Sequence, residues 1–296
     1  MKIERFRGVG VALVTPFTEA GSIDFDALRR HVEHLVEGGV QVMVPCGTTG
    51  ESVTMTAAEQ TQVIEATVRA AAGRVPVMAG AGTNSTADAI DLAMAARDVG
   101  ADAVLSVSPY YNKPSQAGLI QHYHSVAEAA GVPTFIYNVP GRTSSNVEAA
   151  TVLELATAEH IAGVKEASGD IEQAMAILRD RPKDFLVLSG DDSLALPLIA
   201  AGADGLISVA ANEAPAPMAT LVRAALGGDL ETAREIHYRL LPLMQANFIE
   251  TNPVPVKAAL EMMGQIEAHY RLPLVSLGEE NREPLRRALR EAGLLE

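Results

Sequence analysis

Lysine is scarce in this sequence. It stands at positions 2, 113, 165, 183 and 257 only, within a set of 23 lysines and arginines. Lys165 ends an apolar run, in IAGVKEASGD, immediately before a helix-like start. A lysine at a strand end ordinarily snorkels to water, and the strand taken alone favours that reading. The alternative is chemical. An amine held at the rim of a closed apolar core is desolvated, which lowers its pKa from about 10.4. Bringing it near neutral pH takes about 4 kcal/mol, which needs a reason. A neutral amine attacking a ketone to form a Schiff base supplies one. By strand alternation Lys165 shares a face with Ile161 and Gly163, while Glu166 points the other way and is a poor partner for it.

Other residues extend that chemistry. Tyr137 ends the preceding apolar run, TFIYNV. Beside an imine-forming lysine it becomes a proton carrier for carbinolamine formation and dehydration. Its phenol suits a relay with other hydroxyls better than a strong base. GTTGES at 47–52 is a glycine-flanked turn whose backbone N–H groups and hydroxyls, at Thr48 and Thr49, suit a carboxylate. Arg142 in VPGRTSS follows Tyr137 by one loop, as a carboxylate fork or a solvated surface arginine. Glu51 and Glu59 read as helix-dipole partners in a first turn. Asp191 and Asp192 read as caps of the next helix rather than metal ligands. The histidines form no metal set: His31, His34, His122, His124, His237 and His269 fall in helical stretches, and His160 precedes a strand.

What must hold these groups in place is legible as periodicity. Apolar runs begin at Gly8, Val40, Val75, Ala103, Thr134, Ile161, Phe185 and Gly205. Between them lie helix-like stretches. Asp24 to Glu37 has an acidic start and an apolar stripe, and Thr56 to Ala72 opens on T-A-A-E, a capping-box pattern. Gly100, Gly131 and Gly202 stand where helices stop. Nearly all-apolar strands imply a parallel sheet covered on both faces. Eight alternations in about 210 residues predict an α/β fold, a (β/α)8 TIM barrel. A doubly wound sheet is the rival, weakened because no G-x-G-x-x-G follows the first strand and GAGTNS lacks the third glycine. From Asp229 no strand run appears. Leu230 to Asn247, Pro255 to Met263 and Pro284 to Ala292 predict helices, with proline at the first helical position. We expect a catalytic barrel over 1–228 and a C-terminal helical domain over 229–296. In such a barrel the strand C-termini build the active site. Gly190, like other small residues at those ends, leaves room for a cavity.

Bulk composition narrows the partners. The 296 residues are 48% apolar with net charge -14. That permits a large core and argues against nucleic acid, which needs a basic stripe. The only cysteine, Cys46, excludes an internal disulfide and fits a reducing compartment. The N-terminal stretch does not read as a signal peptide, and no run approaches the ~18 apolar residues of a membrane span. We expect a cytoplasmic protein without membrane contact.

GTTGES, PYYNKPSQ, YNVPGRT, GVKEASGD, LSGDD and GLISVAAN occur in this order, each at or beside a strand end. Together they resemble the 4-hydroxy-tetrahydrodipicolinate synthase family of pyruvate-dependent Schiff-base lyases in lysine and diaminopimelate biosynthesis. The lysine motif alone marks the wider superfamily, which includes sialic acid lyase and keto-deoxy sugar aldolases. YNVPGRT narrows it, because its arginine resembles the one that holds the aldehyde substrate's carboxylate. The resemblance implies that Lys165 forms the pyruvate imine, that Tyr137 donates and accepts protons, and that Thr48 is its relay partner. It implies that Tyr111 is a relay tyrosine entering from a neighbouring subunit. Thr49 and Ile207 then bind pyruvate, Gly190 lines the pocket, and Arg142 clamps aspartate semialdehyde. It implies a homotetramer built from dimers, with no metal or organic cofactor. Lysine-inhibited members often carry histidines after GTTGES. Here Ala57 and Gln60 occupy that stretch and Asp88 replaces a longer acid, although Asn84 and Tyr110 match the effector site. We expect weak or absent feedback. A sister aldolase acting on a keto-deoxy sugar acid or sialic acid is the alternative. A catalytically silent keto-acid sensor would be expected to lose part of the lysine–tyrosine–threonine set, which is complete here.

Overall fold

The computed structural model describes residues 3–296. Eight short strands alternate with helices: β1 (Gly8–Ala12), β2 (Val42–Val44), β3 (Met78–Gly80), β4 (Ala103–Val107), β5 (Thr134–Asn138), β6 (Ile161–Glu166), β7 (Leu186–Ser189) and β8 (Gly205–Ser208). Every neighbouring pair is parallel, in the order β2-β1-β8-β7-β6-β5-β4-β3. A parallel bridge between Met43 and Val77 joins the two ends. The result is the expected (β/α)8 barrel.

The helices on the outside are α1 (Phe25–Glu37), α2 (Ala57–Ala71), α3 (Thr86–Asp98), α4 (Gln116–Ala130), α5 (Pro140–Thr143), α6 (Ala149–Leu155), α7 (Ile171–Asp180), α8 (Ala195–Ala200) and α9 (Pro215–Leu226). Their starts follow local chemistry. Asp24, Ser85, Ser115 and Asp170 each cap an N-terminus with a side-chain oxygen. Thr56 and Glu59 close the expected capping box on α2. Gly131 ends α4 in the left-handed region at φ 63°, where a side chain is disfavoured.

Three further helices follow the turn at residues 227–229: α10 (Leu230–Ala246), α11 (Val254–Met262) and α12 (Glu279–Glu291). Pro255 sits in the first turn of α11, at its second position rather than the first, because the helix opens at Val254. Pro284 does not open α12, because the helix starts five residues earlier at Glu279 and proline lies inside it. The acidic first turn at Glu279 and Glu280 suits the helix dipole and carries the start upstream of the proline. His269 is likewise outside a helix, in the segment after α11. Leu240 and Leu243 of α10 and Leu285 and Leu289 of α12 share one buried apolar cluster with the barrel's outer wall.

Inside the barrel a second cluster, including Val42, Val44, Leu105, Phe135, Leu186, Leu188 and Ile207, fills the core. Phe6 closes its lower end, edge-on to Phe135 at 5.4 Å. One local irregularity changes which residues face inward. Thr134 pairs with Ile161 but Phe135 pairs with Gly163, so β6 carries an extra residue, a β-bulge. Ile161 therefore packs in the outer cluster and Ala162 in the inner one. The expectation that Lys165 shares a face with Ile161 is incorrect, since simple alternation fails across a bulge. Lys165 still lies inward, on the side of Gly163, where a Cβ would stand 2.7 Å from the Phe135 ring.

Candidate active site

Lys165 and Tyr137 are register partners on neighbouring strands, which sets their side chains beside each other at the C-terminal rim. The Lys165 Nζ lies 4.2 Å from the Tyr137 ring centroid. Both are buried, Lys165 to 6% exposure and Tyr137 to 8%. Gly190, just past β7, leaves the lysine its room: a Cβ there would sit 3.0 Å from Lys165 Cε and 2.6 Å from Ala167 Cβ. Glu166 faces the outer side, as its parity requires. It accepts from the Ser168 N–H at 2.7 Å and the Asn138 amide at 3.1 Å, and ties β5 to β6. Burial raises its pKa against those hydrogen bonds.

Above this pair opens a cavity of about 230 Å³, lined among others by Thr48, Tyr137, Val139 and Arg142. Thr49 is buried beside Thr48, and its hydroxyl accepts from the Asn252 side-chain amide at 3.0 Å. The Asn252 carbonyl also accepts from Arg142 at 3.5 Å. Asn252 thus joins a threonine of the turn to the arginine across the opening, although TNPVP carried no sequence signal for it. Ile207 is buried on the interior face of β8.

The GTTGES turn is bound from several sides. The Gly50 and Glu51 N–H groups donate within it, to Gly47 and Thr48 carbonyls at 3.1 Å each. Thr15 Oγ1 donates to the Gly50 carbonyl at 2.8 Å. Glu51 and Glu59 are not simple dipole partners. Glu51 is fully buried on Lys257, 2.7 Å away. Glu59 accepts from Arg271 at 2.6 Å besides closing the capping box, and these bonds hold its carboxyl down to about 2. Asp192 differs from expectation too. It caps no helix at α8. Its carboxylate accepts from the Ser208 hydroxyl and from the Val209 and Ala210 N–H groups, so it secures the end of β8. Those donors are aligned on the carboxylate, whereas α8 starts without a side-chain cap.

The dihydrodipicolinate synthetase family model matches residues 5–292. The chain belongs to that family. It is 53% identical to a 4-hydroxy-tetrahydrodipicolinate synthase of Chlorobium phaeobacteroides (strain BS1), over 100% of both chains. It is 51% identical to one of Koribacter versatilis (strain Ellin345), over 98% of this chain and 97% of that one. The solved dihydrodipicolinate synthase from Aquifex aeolicus superposes with a TM-score of 0.95 at 46% identity, covering 98% and 99% of the two chains.

Of the expected set, Thr48, Tyr137 and Arg142 line the first cavity, whereas Lys165, Thr49, Gly190 and Ile207 lie beside it and Tyr111 stands outside it. Tyr111 is 89% exposed and holds a positive φ of 71°. The Asn112 N–H closes a tight turn around it onto the Tyr110 carbonyl at 2.8 Å. Arg142 lies at the exposed rim. A second cavity, of about 530 Å³, shares Cys46, Ser52, Val53, Gly80, Gly82 and Tyr110 with the first, and is lined further by Ala57, Gln60 and Asp88. Burial pushes the Cys46 thiol up to about 12, which makes it a wall and not a nucleophile.

Proposed function

We infer that this enzyme condenses pyruvate with L-aspartate 4-semialdehyde to 4-hydroxy-tetrahydrodipicolinate through a lysine Schiff base, in the diaminopimelate route to lysine. The observation that carries the mechanism is the buried Lys165 amine against Tyr137 at the barrel rim. In this reading Lys165 attacks the pyruvate ketone and Tyr137 moves the protons that turn carbinolamine into imine. Thr48 relays them. Thr49 and Ile207 hold pyruvate, and Gly190 keeps the lysine's path open. The enamine then attacks the aldehyde, whose carboxylate Arg142 clamps. Cyclisation releases the lysine. No step requires a metal or organic cofactor. Intact mass after pyruvate and borohydride, with peptide mapping, tests this: one reduced pyruvate adduct on Lys165 is expected, and a folded enzyme without an adduct refutes it.

Arg142 separates this reading from a sister aldolase on a sugar acid. A charge-assisted hydrogen bond contributes about 1.5–3 kcal/mol. Arg142→Ala is therefore expected to lower kcat/KM for the semialdehyde by roughly 10- to 100-fold while leaving the pyruvate adduct intact. Equal loss for both substrates, or wild-type turnover of a keto-deoxy sugar acid, favours the sister activity.

The remaining readings concern assembly and control. The exposed Tyr111 ring, on a strained backbone, supports a homotetramer of dimers in which it enters a neighbour's cavity. In this reading the catalytic barrel runs to residue 228 and residues 229–296 are a helical appendage on it. Among the described residues no helix is long and apolar enough to cross a membrane. With its single buried cysteine this supports cytoplasmic work on small substrates. In the second cavity Ala57 offers no polar atom, and the Gln60 amide already donates to Ser52 and Met55 carbonyls. A flat steady-state rate across a lysine titration is expected; strong inhibition would contradict it.

A further inference from the structure

Lys257, on α11, has no place in the chemistry above, yet its side chain is completely buried. Its Nζ donates to Glu51 Oε1 at 2.7 Å, to the Thr15 carbonyl at 3.1 Å and to the His269 carbonyl at 2.5 Å. An ammonium has three N–H donors, and all three have partners. The same nitrogen lies over the Phe17 ring at 4.5 Å and the Tyr270 ring at 5.0 Å. Glu51 is equally buried and takes a left-handed backbone at φ 55°. A non-glycine residue holds that conformation only when its surroundings impose it.

Buried ion pairs are weak stabilisers, because desolvating two charges offsets most of their attraction. The location of this one gives it a different use. Glu51 follows Thr48 and Thr49 directly across Gly50, and Thr15 both accepts from Lys257 and donates to Gly50. Arg271, nearby, donates to the Thr54 and Gly21 carbonyls and stacks on Phe17 at 4.5 Å. The threonine turn is therefore gripped from behind by the loop after β1 and by the C-terminal segment. We infer that the Glu51–Lys257 pair is a positioning device for the pyruvate pocket, setting the left-handed corner that aims Thr48 and Thr49. This rests on the pyruvate reading proposed above.

Glu51→Gln alone strands a buried charge and is expected to fold poorly. The double variant Glu51→Gln/Lys257→Met removes both charges and keeps the volume, so it is expected to fold, with a melting temperature lowered by the Thr15 and His269 carbonyls that lose their donor. On that variant, pyruvate KM, semialdehyde KM, kcat and the rate of borohydride-trapped adduct formation are measured. Small misplacements of binding groups are costly, so pyruvate KM is expected to rise about tenfold or more and trapping to slow. Semialdehyde KM stays near wild type. A folded double variant with wild-type pyruvate KM and trapping rate overturns the inference, as does a fall in kcat with both KM values unchanged. Wild-type enzyme that forms no adduct overturns the pyruvate reading itself, which separates the two failures.

Discussion

Lys165→Ala is expected to abolish the borohydride-trapped pyruvate adduct and to lower kcat/KM by on the order of 10⁴-fold or more. The amine supplies the covalent electron sink, and no other lysine can replace it. Lys257 is buried and holds Glu51, and among the described lysines Lys165 is the one whose amine lies against the Tyr137 ring. The fold is expected to survive. Lys165 accepts no structural burden comparable to that of Lys257; its neighbours in register are Tyr137 and Leu188. Circular dichroism and intact mass with and without pyruvate check both halves. A residual adduct on another lysine, or near wild-type turnover, would remove Lys165 from its proposed role.

Gly190→Ala is expected to be the most damaging change that leaves every reactive group in the sequence. Its Cβ would stand 2.6 Å from Ala167 Cβ and 3.0 and 3.1 Å from Lys165 Cε and Cγ. Ala167 is fixed to the backbone and cannot rotate away, so the lysine side chain and the β7 end must yield. Displacing a nucleophile by a fraction of an ångström to one ångström lowers rate by about 10²-fold. Overpacking adds a destabilisation of about 1–3 kcal/mol. Rapid-quench trapping should show slower imine formation, with the same single adduct site. An unchanged trapping rate would mean that the cavity absorbs the methyl group without moving the amine.

These predictions also separate what periodicity reveals from what it hides. All eight strands fall within the apolar runs, and the T-A-A-E start of α2 closes as a capping box. Both signals are local, since strand burial and capping depend on residues a few positions apart. The chemistry of Lys165 and Tyr137 was legible for a related reason. Strand ends face the same opening in a parallel barrel, so a lysine and a tyrosine ending consecutive strands meet. Alternation failed at Ile161 because the bulge adds a residue that no propensity announces. Pro284 misled because helix starts answer to the dipole and the first turn as much as to proline.

The site's support was not legible. Asn252 meets Thr49 across 203 residues of chain, and Lys257 meets Glu51 across 206. Lys257 did leave a trace, a charged residue inside the apolar run VPVKAAL, but a trace without a partner. By itself the sequence determined the barrel, the order of its strands and the residues available for imine chemistry, because these follow from local hydrophobic pattern and from which side chains stand at strand ends. The face to which the start of β6 turns, the room left for the lysine beside Gly190, and the grip of the C-terminal segment on the threonine turn emerge only once the chain is packed. Those depend on distances of a few ångströms between segments brought together by burial of the whole core, and no short-range pattern carries such distances.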